Sequence, residues 1–525
     1  MGVSWPIFVS QCKSGLSAVA RSCFLGRKAA RERCRQLTEQ RNEARELAAR
    51  RGAENILLRE NERRLTRRIA ELTAELARPR PMTLPLGEVP SGMHYGAGLI
   101  ELCVNLAREL GLRPTVRALE IVFKWLGVEV AIPVYQAIRT WLQRLGLSRS
   151  LCAKRVDGGV WLVDHTHQIG REKALTVLRV PPQRPRDAGP LCQEELEVLT
   201  VLPGENWKRE DVLEVYRALA ERYGAPRAIV SDGAAELQEP IVKLGEILVK
   251  TAGTAAKPPL ALRDPKHFLA NRLEALLTSD PAWREFTLHI GSTRAAVQQT
   301  ELAHFTPPAF KTKARFMNLA ATLRWAKAVL WHAKRPDSQS RRGVTARRME
   351  EKLGWLRRFA PHLRQWQACQ DVIDAALALL NERGVFRGAT NQLRKRVAKF
   401  AAYPLSQRIL ETLLQFVQAY EHRLTARERL PLSTEILESC FAKYKQLEQQ
   451  HSKGGFTSLL LTFPTLLRPT TAADITAGMQ RVKTKDITAW QQRHLPATLA
   501  SRRQMLYREA NPKPRTTQRR NVNQC

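Results

Sequence analysis

Apolar positions along this chain recur first at helical spacing, then at strand spacing, then at helical spacing again. From 27 to 78 the chain is rich in Arg, Glu, Ala and Leu; Leu58, Leu65 and Leu72 stand seven apart, with Ile69 and Leu76 on the companion seam. Such a stripe predicts a long helix able to zip a dimer, although Gly52 interrupts it and Glu62 lies on the seam. Pro79, Pro81, Pro85 and Pro90 make 79–91 a linker. Helical patterns follow over 98–110, 115–126 and 134–145, with Thr115 as an N-cap and Pro133 in a first turn. A helix-turn-helix-like domain is expected over 92–150, after an N-terminal arm, 1–26.

The spacing then shortens. Residues 159–168 form an apolar, β-branched run that delivers Asp164, and 174–180 returns as the second arm of a hairpin. Further strands are predicted at 196–202, at 227–233, which ends in Asp232, and at 260–263; helices are predicted at 209–223 and 234–248, and another opens at Asp264-Pro265. The order β-β-β-α-β-α-β-α implies a mixed sheet. From 291 to 425 only helical periods are found, and Trp325, Trp331, Trp355 and Trp366 read mostly as core. Beyond Pro431, Ser433 or Thr434 can cap a helix with an apolar stripe of Leu437, Cys440, Phe441, Tyr444 and Leu447. Gly454-Gly455 closes that unit, and 471–525 is a helical and basic tail.

Charge narrows the function. The 525 residues carry a formal net charge of +35, spread along most of the chain, which suits a polyanion held over a long surface. The 9 cysteines show neither zinc spacing nor a disulfide framework, and no apolar stretch reaches bilayer length. A reducing cytosol and no membrane are expected. On the third helix of 92–150, Ile138, Trp141, Leu142 and Leu145 form the stripe to be buried, leaving Gln136, Arg139, Gln143 and Arg144 for a major groove. The cationic loop 334–348, with Arg341 and Arg342, suits phosphate contacts.

Two strand-ending aspartates set side by side repel each other unless a divalent cation lies between them. A third carboxylate comes from the capped helix: Glu438 and Lys445 lie about 20 degrees apart around it, on one edge of its stripe. Glu301, nearer in sequence, has no matching cation one or two turns on and precedes Pro307-Pro308.

The strings Val163-Asp164-His165-Thr166, Val230-Ser231-Asp232-Gly233, Gln298-Gln299-Thr300-Glu301-Leu302, Lys313-Ala314-Arg315-Phe316-Met317-Asn318 and Ser433-Thr434-Glu435-Ile436-Leu437-Glu438-Ser439 resemble those of bacterial insertion-sequence DDE transposases. The layout is similar to hAT-type enzymes. The resemblance implies a multidomain α/β fold: a ribonuclease H-like mixed-sheet core, 155–290 and 426–470, interrupted by an all-α insertion, 291–425, and preceded by the helical N-terminal region. It implies Asp164, Asp232 and Glu438 as catalytic ligands of two Mg2+ or Mn2+ ions, Lys445 as a DNA contact, and Asp264 with His267 as an auxiliary Asp-x-x-His element. The implied partners are double-stranded DNA, at element ends and target, and further copies of the chain in a homodimer or larger assembly on the bacterial nucleoid. A ribonuclease H-like nuclease without strand transfer, or a decayed DNA-binding protein, is the alternative.

Overall fold

The computed structural model describes residues 27–77, 86–169, 172–182, 189–252, 257–309, 319–335, 344–448, 456–495 and 499–511, with Ser10, Arg184 and Phe316 besides. The chain divides into two units, Met1–Leu84 and Pro85–Cys525. In the first, α1 (Arg27–Ala77) is one helix of 51 residues that passes through Gly52 unbroken. Leu58, Leu65, Ile69 and Leu72 on it are all exposed.

The second unit opens with α2 (Ala97–Leu110), α3 (Leu112–Leu126) and α4 (Tyr135–Cys152). Two boundaries differ from expectation. Gly111, at φ 88°, turns the chain directly into α3, so Thr115 is a buried interior residue whose Oγ1 donates to Gly111 O at 2.7 Å rather than an N-cap. α4 continues well past 145 because later segments cover it.

Five strands follow: β1 (Val160–Ile169), β2 (Glu172–Val180), β3 (Glu197–Gly204), β4 (Ala228–Ser231) and β5 (Leu260–Arg263), in the order β3-β2-β1-β4-β5. β1, β2 and β3 pair antiparallel, while β4 and β5 join β1 parallel. The parallel steps are made by the crossover helices α5 (Arg209–Tyr223) and α6 (Ala235–Ala252), as parallel neighbours require. This mixed sheet is compatible with a ribonuclease H-like core. Trp161 and Val163 of β1 pack with Val212, Tyr216 and Leu219 of α5 and Leu237, Ile241 and Leu244 of α6. Strand side chains alternate, so Leu162 and Asp164 face the other way.

The sheet is followed by α7 (Pro265–Thr278), α8 (Pro281–Val297), α9 (Leu319–Ala333), α10 (Ala346–Leu353), α11 (Ala360–Arg383), β6 (Val385–Phe386), α12 (Ala389–Val397), α13 (Pro404–Glu421) and β7 (Arg429–Leu430). Trp283, Phe286, Trp355 and Trp366 form one aromatic cluster; Trp283 and Trp366 cross edge to face at 5.0 Å. Trp325 joins the core and Trp331 stays half exposed. The stretch expected to lack strands holds β6, which pairs with β7. Gly384, at φ 62°, lays the backbone directly against Leu430 there, a contact that leaves no room for a Cβ.

α14 (Glu435–Glu448) buries Leu437, Cys440, Phe441, Tyr444 and Leu447, the stripe expected from sequence. It packs against β1. None of these residues belongs to the core under α5 and α6, so α14 covers the opposite face, the one Asp164 points to. After it, a 3-10 turn (Ser458–Thr462), α15 (Phe463–Leu467) and α16 (Ala472–Arg481) pack on α4. The partition into a separate 92–150 domain and a 471–525 tail is therefore corrected: Arg149 of α4 donates to the carbonyls of Pro464, Thr465, Arg468 and Pro469, and Asn105 and Thr470 exchange two hydrogen bonds. The last two helices are α17 (Thr484–His494) and α18 (Leu499–Ala510). Among the described residues, no helix is long and apolar enough to cross a membrane.

Candidate metal and nucleic-acid site

Register places the aspartates. Leu162 of β1 is level with Val230 of β4, and Val230 with Leu262 of β5. Two residues further along each strand direction stand Asp164, Asp232 and Asp264, so the three reach one level at the carboxyl end of three adjacent strands. Neighbouring strands lie about 4.8 Å apart. A register irregularity in β1 between Asp164 and His167 follows directly, a common device for re-aiming a side chain beside a site.

The three carboxylates differ in what they are free to do. Asp164 is 9% exposed. Burial first, and then Asp232, with Glu438 and Asp264 adding to it, push its carboxyl up to about 7, against a hydrogen bond from the backbone at His165 that lowers it. Every charged group acting on Asp164 there is another carboxylate. Asp232 is half-buried. Its Oδ1 accepts from Ala234 N at 2.8 Å and so opens α6. Gly233, at φ 95°, has no space for a Cβ against the Arg263 side chain, so a side chain there would displace the loop that holds Asp232.

Asp264 is almost fully buried and its carboxylate is in use. Oδ1 accepts from His267 N at 3.0 Å, capping α7, and Oδ2 accepts from Thr434 N at 2.7 Å and from Thr434 Oγ1 at 3.2 Å. One side chain thus clasps the N-termini of α7 and α14 across 170 residues of sequence. Beside it Lys266 pairs with Glu435, which also accepts from Asn381. His267 Nδ1 lies 3.8 Å from Asp264 Oδ1, too far for a hydrogen bond. Asp264 holds the helix that carries Glu438.

Glu438 stands exposed on the first turn of α14, close enough to Asp164 to raise its pKa, and Lys445 is exposed two turns on. Glu301 is elsewhere: it is bound to Arg348 at 3.1 Å. Among the described residues, no three carboxylate, imidazole or thiol groups are gathered closely enough to hold one ion together. The donor chemistry nevertheless fits a hard divalent cation: oxygen ligands, one of them a desolvated carboxylate surrounded by like charge.

Sequence reasoning did not mark Lys266, Arg263 or His165. Lys266 and Arg263 flank Asp264 directly, which was the available signal. The Arg263 Nε is buried without a hydrogen-bond partner, as is His165 Nε2, whose ring stacks on Trp207 at 6.1 Å. Burial, and then Lys173, lower the pKa of that imidazole.

The proposed groove-facing residues separate. Gln143 is buried and donates to Ser458 Oγ at 3.0 Å. Arg144 is buried too, donating to Val482 O and Met479 O, both at 2.7 Å. Both expectations are corrected: the C-terminal segment takes up the polar face of α4 and these donors with it. Arg139 is half-buried beside Tyr135 and Tyr444; burial lowers its pKa and the two tyrosines oppose that. Gln136 is exposed. Arg341 and Arg342 lie outside the described residues.

No family model and no curated protein matches this chain. Among solved structures, the Drosophila P element transposase strand transfer complex is similar over 71% of this chain and 91% of that chain, at 10% identity and a TM-score of 0.37. A likeness of that degree carries no argument about activity.

Proposed function

We propose that this chain is a DNA transposase of the DDE type with a ribonuclease H-like core, in which Asp164, Asp232 and Glu438 hold two Mg2+ or Mn2+ ions. The observation that carries the reading is the parallel register bringing Asp164 and Asp232 to one level, on a strand covered by the helix of Glu438. When bound, such ions neutralise a phosphodiester and favour the deprotonated form of an attacking oxygen. Asp164 is built to receive a cation, because burial and Asp232 make its free anion costly. Asp232 is fixed by its own turn, whereas Glu438 is exposed and completes the set by a change of rotamer or a small shift of α14. Asp264 is a positioning residue, keeping α14 within reach of β1. Lys445 contacts the DNA backbone on the edge that Glu438 begins. One carboxylate set then serves both hydrolysis at an element end and attack of the freed 3′ hydroxyl on target DNA.

Asp164→Asn and Asp232→Asn are expected to abolish Mg-dependent cleavage while leaving DNA binding within a few-fold, since phosphate contacts come from cations elsewhere. Substantial cleavage by either variant sinks the assignment. The burial of Gln143 and Arg144 favours a second reading, a nuclease without end recognition or strand transfer. Joining of a pre-nicked 3′ end to a plasmid separates the two, because a simple nuclease does not make that product.

A further inference from the structure

The helix α1 carries a seam with no function so far. Taking Leu58, Leu65 and Leu72 as d positions puts Asn55, Glu62, Ile69 and Leu76 at a. Leu58 and Leu65 are each 58% exposed and Ile69 is 64% exposed, an apolar stripe that a lone helix in water does not hold at no cost. We propose that the occupant of this seam is α1 of a second copy, in a parallel, in-register two-stranded coiled coil.

Three features choose that partner and direction. First, parallel pairing stacks Asn55 on the partner's Asn55, a layer in which each amide satisfies the other; a single a-position Asn specifies register and a two-stranded state. Second, the g and e positions agree: Glu54 meets the partner's Arg59 with opposite charge, and Asn61 and Arg68 meet the partner's Thr66 and Thr73 without repulsion. Third, the antiparallel pairings that match apolar residues are worse. One sets Asn55 against Leu72 and Glu54 against Glu75; the other sets Arg68 against itself. The parallel pairing has one cost, Glu62 facing the partner's Glu62, and this repulsion weakens the coil. Glu62→Leu should therefore tighten it. The chain is thus expected to meet DNA as a pre-formed pair, an inference independent of the chemistry at Asp164.

The full chain is tested by light scattering without DNA, at a salt concentration that suppresses charge-driven association. Wild type should have the mass of a dimer. Leu58→Glu with Leu65→Glu should raise the dissociation constant about a hundredfold or more. Both leucines are exposed on α1, so thermal melting of the variant should match wild type. Direction is read separately. Cys34 falls at an a position of the same frame and is exposed, so treatment with oxidised glutathione should link two copies through it, and Cys34→Ser should lose that link. In either antiparallel pairing the two Cys34 residues stand tens of ångströms apart, at about 1.5 Å per residue. A monomeric or larger-than-dimeric wild type, or a dimer indifferent to the leucine changes, overturns the proposal. Absence of a Cys34-dependent link overturns the parallel arrangement.

Discussion

Replacing Asp164 by Asn removes a charge that the ion-free fold holds at a cost, and that cost depends on pH in a way set by the site. The carboxyl rises from 3.8 to about 7, burial first and Asp232 second. At about 1.4 kcal/mol per pH unit, the full charge costs on the order of 4 kcal/mol, and relaxation of the neighbouring side chains reduces the measurable part to about 2–4 kcal/mol. The sign follows from proton linkage. Above about 7 the group is ionised in both folded and unfolded chains and the whole cost is felt. Between about 7 and 3.8 the folded chain keeps a proton that the unfolded chain has released, so stability rises as pH falls. Below 3.8 both forms are neutral and the cost is gone. Urea unfolding in chelator should therefore find Asp164→Asn more stable than wild type at pH 8. The advantage should shrink steadily through pH 6 and 5. Adding Mg2+ or Mn2+ at pH 8 should stabilise wild type and not the variant, because a ligand of the native state shifts unfolding by mass action. A difference that does not change with pH, or a variant less stable at pH 8, refutes the reasoning.

Other consequences are local. Asp264→Asn puts an amide donor where Thr434 N and Oγ1 need an acceptor, so it should cost about 1–3 kcal/mol in urea and lower nicking activity without altering DNA affinity. Gly146 of α4 leaves no room for a Cβ against Leu461 O; Gly146→Ala should cost about 1–3 kcal/mol or more by overpacking, visible as a lower urea midpoint. Lys445→Ala should reduce the slope of log affinity against log salt by about 1, which binding titrations at several salt concentrations will show.

What could be read from sequence was whatever a single element decides. The strand that ends in Asp164, the strand before Asp232 and the stripe of α14 are each local periodicities, and each element formed close to where its pattern lay. The placement of Asp164 beside Asp232 also followed, because an α crossover forces parallel pairing. What was not legible was which polar face a distant segment would cover. Gln143 and Arg144 have the spacing of groove-facing residues, and only contacts 315 and 338 residues away show them to be buried donors. Asp264 is similar: as an N-cap it was readable, but its second oxygen is committed to Thr434. The pairing of β6 with β7 rests on two residues a side, too short for any alternation to show.

The most direct measurement is Mg-dependent nicking of duplex DNA by Glu438→Gln and Glu301→Gln side by side, each with its DNA affinity determined in the same buffer. Glu438 lies on α14 against β1 and acts on the charge of Asp164, whereas Glu301 is bound to Arg348. Loss of nicking in Glu438→Gln with retained binding, and near wild-type nicking in Glu301→Gln, is the expected result. The reverse pattern, or full activity in Glu438→Gln, contradicts a site made by Asp164, Asp232 and Glu438.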